Sequence, residues 1–227
     1  MEKILRQRWW KYLAVVLLLY ALFMGFLYKV PRVHILNESI RNLHFHVPMW
    51  FGMFIVLGFS LTYSIKYLRN PTLLNDTIAS ETANVGILFG ILGLVTGSIW
   101  ARYTWNSWWN NDPKQTVSAI TMLIYLAYVV LRGSVNDIDK RGKLAAVYNI
   151  FAFCAMIPLI FVVPRLFDSL HPSNGGNEGF VVYDQLDNSL RVVFYPAVIG
   201  WTLLGLWMAA IRCRLQMLRY RLLNLVE

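Results

Sequence analysis

Charged residues are scarce in this sequence. Asp, Glu, Lys and Arg make up 15% of its 227 residues and hydrophobic residues 57%, whereas an average soluble domain is about 25% charged. Cysteine is nearly absent as well, with only Cys154 and Cys213 and no CxxCH motif. These deficits exclude a soluble globular domain, a disulfide-stabilised fold and covalent attachment of a cofactor through paired thiols. The composition instead predicts an integral membrane protein.

Nucleotide-binding and repeat patterns are also missing. The sequence contains no glycine-rich phosphate-binding loop, internal repeat or low-complexity tract, so an ATPase domain is not expected in this chain. The net charge of +9 would suggest nucleic acid as the partner of a soluble protein. Here the basic residues cluster at the ends of apolar segments, which indicates membrane topology and no nucleic-acid partner.

Six apolar segments are each close to the length that crosses a bilayer as a helix. They are residues 9–30, 48–67, 84–101, 116–132, 144–164 and 193–211. Because lipid offers no partner for unpaired backbone groups, these segments are predicted to be helices and not strands. We therefore expect an all-α membrane protein in which residues 1–227 form a single polytopic domain.

The basic residues predict the orientation of these helices. Fourteen of the 21 Lys and Arg residues fall on the side of both termini, and seven on the other side. By the positive-inside rule, both termini are expected in the cytoplasm. The segments 31–47, 102–115 and 165–192 then face outward, and all four histidines lie in them. These are His34, His44, His46 and His171.

Aromatic side chains concentrate at the end of the third span. Four of the nine tryptophans lie within ten residues, namely Trp100, Trp105, Trp108 and Trp109. An interfacial aromatic belt would explain single tryptophans at helix ends. A cluster this dense offers flat apolar surface at one place, as a large planar ligand would require. We expect these tryptophans to contact such a ligand.

Asp112 follows this tryptophan loop. In Asp112-Pro113-Lys114-Gln115, an Asp at the N-cap precedes a Pro at the first helical position, which is typical of a helix start. Capping alone accounts for Asp112. A further role, such as orienting the tryptophan loop, stays open.

Two histidines lie at the outer ends of predicted spans. His46 precedes the second span in His-Phe-His-Val-Pro, and His171 follows the fifth in Leu-His-Pro. Either one alone would be an ordinary interfacial residue, but two neutral imidazoles on opposite sides of an iron are the axial ligands of a haem. The pattern predicts non-covalently bound haem b with His46 and His171 as ligands of the iron. His44 could compete with His46 or orient it, and His34 is expected to contact headgroups or solvent.

Cations on the same side could bind the carboxylates of such a ligand. Arg102, Lys114 and Arg165 lie beside the histidines and the tryptophan loop. Guanidinium and ammonium groups pair with carboxylates, although pairing with lipid phosphates would account for these residues equally well.

Two further features are expected to be structural. Asp76 and Glu81 precede the third span on the inner side and are expected to be charges at a helix start. The third span also carries glycine at every third or fourth position, which predicts close packing against a neighbouring helix. These glycines are Gly86, Gly90, Gly93 and Gly97.

The motif around the tryptophans resembles that of a known family. The stretch Thr96-Gly97-Ser98-Ile99-Trp100-Ala101, followed by Trp105, Trp108-Trp109 and Asp112-Pro113, is similar to the WWD signature of haem-handling proteins. Within that family, the short six-span form with His-Val-Pro before the second helix and Leu-His after the fifth resembles CcmC of cytochrome c maturation. The resemblance covers about residues 40–210.

This resemblance implies roles for the residues above. His46 and His171 match the family's two axial histidines at the periplasmic face, and the loop from Trp100 to Asp112 matches its haem-presenting loop. It implies a multi-pass protein of the bacterial inner membrane that is no enzyme and delivers haem to a membrane-anchored chaperone of the CcmE type. ABC transporter subunits of the CcmA and CcmB type and a small single-span subunit of the CcmD type are further implied partners, within the lipid bilayer.

Alternative functions predict other features. A CcsA-type subunit, which delivers haem for direct attachment to apocytochrome c, would bring additional spans and histidines. A transporter of haem or another amphipath would need polar groups inside the spans, where the sequence offers few besides Asn84, Asn149 and small hydroxyl residues. A respiratory cytochrome would hold its histidines deep inside facing spans, and none of the four lies there.

The longest outer segment, 165–192, could dock a partner. Residues 174–177 predict a flexible tip, and residues 180–183 a short strand. A plain connector is the alternative interpretation.

Overall fold

The chain folds into a bundle of helices. The computed structural model describes residues 7–31, 36–171 and 188–223, and these ranges contain no strand. All six α-helices are long and apolar enough to cross a membrane, so the predicted six-helix fold is confirmed. They are α1 Trp9–Leu27, α2 His46–Arg69, α3 Leu73–Trp105, α4 Pro113–Ser134, α5 Ile138–Phe161 and α6 Asn188–Leu222. Two 3-10 helices, Asn37–His44 and Val163–Leu166, precede α2 and follow α5.

The third helix is longer than its predicted span because it includes acidic residues. It begins at Leu73, so Glu81 lies well inside it and accepts a 2.6 Å hydrogen bond from Arg212 Nε of α6. The interpretation of Glu81 as a charge at a helix start is therefore wrong. Asp76 does lie in the first turn, but it is buried and bonded by both terminal nitrogens of Arg132 at 2.8 and 2.5 Å. An opposite charge on a neighbouring helix compensates the burial of each carboxylate.

Helix α2 lies at the centre of the bundle, where it packs against α3, α5 and α6, while α1 packs mainly on α6. One apolar core contains side chains from each of the five helices from α2 through α6. Its largest fully buried side chains include Met53, Leu57, Phe89, Tyr125, Tyr128 and Met156.

The glycines of α3 permit its close approach to neighbouring helices, as the sequence predicts. A Cβ atom at Gly86 would lie 2.5 Å from Leu57, and one at Gly93 would lie 2.6 Å from Trp50. Such separations are too short for van der Waals contact, so the side chains of Leu57 and Trp50 on α2 would have to shift if larger residues replaced these glycines.

A polar cluster links α2, α3 and α5 inside the bundle. Asn149 Nδ2 donates hydrogen bonds to Ser60 Oγ at 2.7 Å and Ser64 Oγ at 2.8 Å, and Ser60 donates to the carbonyl of Ala79 at 2.6 Å. Asn149 and small hydroxyl residues are the polar groups that the sequence predicts inside the spans, and the two ion pairs of α3 add to them. They occur there because they bond to one another.

One end of the bundle gathers most of the residues singled out above. At this end α1, α3 and α5 finish while α2, α4 and α6 begin, and we call it the histidine end. His34 and the segment 173–183, with its expected docking edge, lie outside the described residues, so those interpretations stay predictions.

Candidate haem-binding site

A cavity of about 500 Å³ opens at the histidine end. Pockets for cofactors and other small molecules usually measure about 300–1,000 Å³. The first turns of α2, α4 and α6, the last turns of α3 and α5, and both 3-10 helices form its wall. His46 and His171 both line it. Most of the wall is apolar or aromatic and includes Trp50, Phe51, Phe54, Trp100, Trp109, Phe161 and Phe194.

Thr96 of α3 orients the imidazole of His46. The Nδ1 atom of His46 lies 2.9 Å from Thr96 Oγ1, and that hydroxyl donates to the carbonyl of Leu92 at 2.8 Å. The tautomer that carries the ring proton on Nδ1 satisfies both contacts, because Thr96 can then accept from His46 while it donates to Leu92. In that tautomer the ring lone pair is on Nε2, which would be the nitrogen that binds a metal.

Gly97 provides the space for this ring. A Cβ atom at Gly97 would lie 2.9 Å from Cε1 of His46. Trp50 stands edge-on to the imidazole, with 6.3 Å between ring centroids, and occupies the space beside Gly93. The last two glycines of α3 therefore shape the site as well as the helix packing.

Asp112 orients the second histidine. Its Oδ1 atom accepts hydrogen bonds from the backbone N–H of Lys114 at 2.9 Å and from Nδ1 of His171 at 2.8 Å. Its Oδ2 atom accepts from Ser169 Oγ at 2.8 Å and from the backbone N–H of Leu170 at 2.7 Å. The carboxylate therefore caps α4, as predicted, and also holds His171 with its Nε2 atom available.

Burial alone would raise the pKa of the Asp112 carboxyl, because its side chain is wholly shielded from solvent. The hydrogen bond and charge of His171, followed by the bonds from Ser169 and Leu170, outweigh burial and hold that pKa well below its ordinary value. Asp112 is thus a carboxylate at neutral pH, and it must accept the proton on Nδ1 of His171.

The four tryptophans divide into two pairs. Trp100 and Trp105 pack against His171, with ring centroids at 5.8 and 4.8 Å, and against each other at 4.9 Å. Trp109 lines the cavity, whereas Trp108 does not and is 57% exposed. Trp100 and Trp105 therefore support a histidine, Trp109 borders the cavity, and Trp108 lies at the surface of the loop.

Of the three cations expected near the ligand, Lys114 and Arg165 line the cavity. Arg102 does not line it, and its guanidinium donates to the carbonyl and side-chain oxygens of Asn106. Arg191, at the start of α6, is a lining residue that the sequence analysis did not propose. The sequence did contain one indication of this position, because Arg191 is a cation at the outer end of the last predicted span.

His44 lies away from the cavity wall. It is 1% exposed and sits beside Gly25 of α1, where a Cβ atom would lie 3.5 Å from that of His44. It is therefore not among the residues that could orient or replace His46 in this structure.

The chemistry of this wall fits haem. Two imidazoles each present Nε2, their Nδ1 atoms are engaged by Thr96 and Asp112, and the wall is otherwise largely apolar and aromatic. Haem iron needs only two protein ligands, because the porphyrin supplies four nitrogens. Accordingly, a site of this kind requires no third metal-binding side chain, and the described residues contain no group of three or more such side chains.

Comparison with known proteins agrees with this chemistry. The family model for Heme exporter protein C matches residues 2–226. Heme exporter protein C of Bradyrhizobium diazoefficiens is 28% identical over 96% of this chain and 82% of its own. The protein of the same name from Paracoccus denitrificans is 26% identical over 89% of this chain and 82% of its own.

A second group of relatives carries a different name. Cytochrome c biogenesis protein CcsA of Prochlorococcus marinus subsp. pastoris is 34% identical over 65% of this chain but only 48% of its own length. Together with six membrane-spanning helices, these relatives make the protein a multi-pass component of the bacterial inner membrane that belongs to cytochrome c biogenesis. Because the family match extends over nearly the whole chain, the protein is a member of the Heme exporter protein C (CcmC) family.

Proposed function

We propose that this protein binds haem b non-covalently in the cavity at the histidine end and hands it to a haem chaperone. The observation that carries the proposal is the arrangement of His46 and His171 around one aromatic cavity. In both residues Nδ1 is engaged by a neighbouring oxygen, so Nε2 is the atom that would bind iron. Such bonds from a second residue set the orientation and basicity of a ligating imidazole.

In the proposed complex, His46 and His171 bind the iron on opposite faces of the porphyrin. Trp50, Trp100 and Trp109 line the cavity and would contact the macrocycle. Haem itself is the cargo, and the protein makes or breaks no covalent bond in it. It is therefore proposed to be an assembly factor and not an enzyme.

The absorption spectrum of the purified protein, oxidised and reduced, tests this proposal. We expect a low-spin spectrum for the wild type and conversion to high spin, or loss of haem, in His46→Ala and in His171→Ala. His34→Ala serves as the control, because it removes another histidine from the same side of the chain and is not a proposed ligand. An unchanged spectrum in the double variant His46→Ala/His171→Ala would refute the ligand assignment.

The direction of delivery rests on charge and family. The excess of basic residues at the other end of the bundle supports cytoplasmic termini and a periplasmic histidine end. Delivery to a membrane-anchored chaperone of the CcmE type, alongside CcmA-, CcmB- and CcmD-type subunits, is the activity that membership of this family suggests. Co-purification of the chaperone with wild type but not with a tryptophan-loop variant, such as Trp108→Ala, would support it.

Direct attachment of haem to apocytochrome c is the second candidate function, supported by the similarity to CcsA proteins. The chain matches less than half of the compared CcsA protein, which favours delivery to a chaperone. Expression of this protein without the chaperone separates the two candidates, because only the CcsA-type function would still yield holocytochrome c.

A further inference from the structure

The wall of the cavity is positively charged. Lys114, Arg165 and Arg191 line it, and none of the described lining residues is acidic. Lys114 and Arg165 lie on one side, because α4 and the second 3-10 helix pack against each other. Arg191 comes from α6, a separate part of the wall. A ligand with negative groups would therefore be attracted from two directions.

Arg191 belongs to a face of α6 that is turned toward the cavity. Phe194 and Tyr195, three and four residues further along, also line it, as expected for neighbours on one helix face. The Arg191 side chain is partly buried, and its Nε atom is shielded from solvent. Its cationic head thus lies at a largely apolar wall, where an anionic group of the ligand gains more than it would in water.

A guanidinium group pairs best with a planar carboxylate, which it can bind through two parallel hydrogen bonds. The ring system of a tetrapyrrole would contact the aromatic part of the wall, and its acid side chains are the groups that need a cation. Arg165 and Lys114 could serve one such group. Arg191, on a separate part of the wall, could bind another acid side chain of the same ligand.

We propose that Arg191 binds a carboxylate of the tetrapyrrole and makes the site selective for porphyrins that carry free acid side chains. This inference rests on the proposed function, because it assigns a contact to the ligand proposed there. It concerns ligand selectivity, and the iron ligands His46 and His171 take no part in it.

Iron-free protoporphyrin IX and its dimethyl ester are suitable probes, because methyl esters replace the two free carboxylates on the same ring system and neither compound carries iron for the histidines to bind. Their dissociation constants would be measured by quenching of tryptophan fluorescence for wild type and Arg191→Gln. Lys29→Gln is the matched control, since Lys29 is an exposed cation at the same end that does not line the cavity. Each probe partitions into detergent to the same extent in every titration, so the change in the ratio of the two constants between wild type and a variant is free of this partition.

We expect Arg191→Gln to weaken binding of the free acid at least about tenfold, the effect of ~1.4 kcal/mol, and to change binding of the ester by less than about twofold. Arg191→Lys should recover part of the loss, and Lys29→Gln should leave the ratio unchanged. Equal weakening for acid and ester, or weakening for neither, would overturn the role of Arg191. Arg191→Met, which keeps an unbranched apolar chain, repeats the test if the Gln variant does not purify.

The same titration separates this inference from the proposed function. If wild type binds neither iron-free porphyrin but shows the low-spin spectrum of bound haem, only the role of Arg191 is lost; if it binds neither these probes nor haem, both proposals fall. If wild type binds acid and ester equally well, only the selectivity assigned to Arg191 is lost.

Discussion

Asp112 connects the start of a helix to the orientation of a proposed iron ligand. Its carboxylate accepts four hydrogen bonds, one from the backbone of its own helix and three from residues 169–171. A carboxylate that accepts the Nδ1 proton of a ligating imidazole increases the electron density that Nε2 offers to the metal. Asp112 would therefore act as a positioning residue, through His171, on the haem proposed to bind here.

Replacement of Asp112 by Asn tests this role without removal of the cap, since Asn is as good an N-cap as Asp. We expect Asp112→Asn to lower haem affinity by about 10–100-fold and to raise the reduction potential of the iron, because the imidazole loses its anionic partner. Haem titration and a redox titration measure the two effects.

Asp137 offers the matched control. It caps α5 through a 2.7 Å bond from the backbone N–H of Lys140, and no histidine bonds to it in the described part of the chain. Asp137→Asn should leave affinity and potential at wild-type values. Equal effects of the two variants would mean that Asp112 acts only as a cap.

At the scale of single residues, the sequence identified which groups would meet but not how they are held. His46, His171, Trp109 and Lys114 share one cavity, as their common position at one end of the predicted spans suggested. The bond between His171 and Asp112 joins residues 59 positions apart. Local sequence patterns and helix periodicity carry no information about contacts between residues so far apart in the chain, so this hydrogen bond could not be predicted. The contact of Thr96 with His46 across 50 positions was hidden for the same reason.

Helix α3 sets the position of His46 through its glycines. Gly97 is a helical residue whose missing side chain leaves room for the imidazole. An alanine there would favour the helix by about 0.5–1 kcal/mol but would force the ring of His46 to move.

We therefore expect Gly97→Ala to fold normally and to bind haem at least about tenfold more weakly, a loss of ~1.4 kcal/mol, with part of the iron in the high-spin form. Gly133→Ala in α4 is the control, because a Cβ atom there would meet nothing within 4 Å. It should leave the spectrum unchanged and melt at the same or a slightly higher temperature. If Gly97→Ala bound haem with the affinity of the wild type, the imidazole of His46 would have adapted to the added methyl group, and the prediction would be wrong.

The ion pair between Asp76 and Arg132 links the beginning of α3 to the end of α4. Their side chains are 5% and 17% exposed, so removal of one partner leaves a buried charge. We expect Arg132→Met to lower the free energy of unfolding by about 3–5 kcal/mol, measured by denaturation in detergent. The double variant Asp76→Asn/Arg132→Met should recover much of this loss. No recovery would contradict the view that the uncompensated charge causes the damage.

Helix number was predictable, whereas some helix ends were not. Apolar length indicated six spans, because lipid requires each one to be long and hydrophobic. The start of α3 was missed because Asp76 and Glu81 interrupt the apolar run. Their partners, Arg132 and Arg212, lie in other helices and are brought near only by the fold.

For the whole molecule, the distribution of basic residues predicts a periplasmic histidine end. A protein in which Ser replaces Cys154 and Cys213 allows single cysteines to be placed at either end. With a membrane-impermeant maleimide on intact spheroplasts, we expect Ser107→Cys to be labelled and Asn136→Cys to be labelled only after lysis. The reverse pattern would place the proposed haem site at the cytoplasmic face and exclude delivery to a periplasmic chaperone.

The contacts of the α3 glycines have a consequence for the assembled complex. Leu57, Trp50 and His46 follow one another along α2, and each occupies space left by Gly86, Gly93 or Gly97. Helix α2 consequently cannot slide along α3 without displacing the imidazole of His46. Any subunit that shifts the register of these two helices, even from within the lipid, would therefore loosen the proposed bond between His46 and iron and so promote release of the proposed haem ligand.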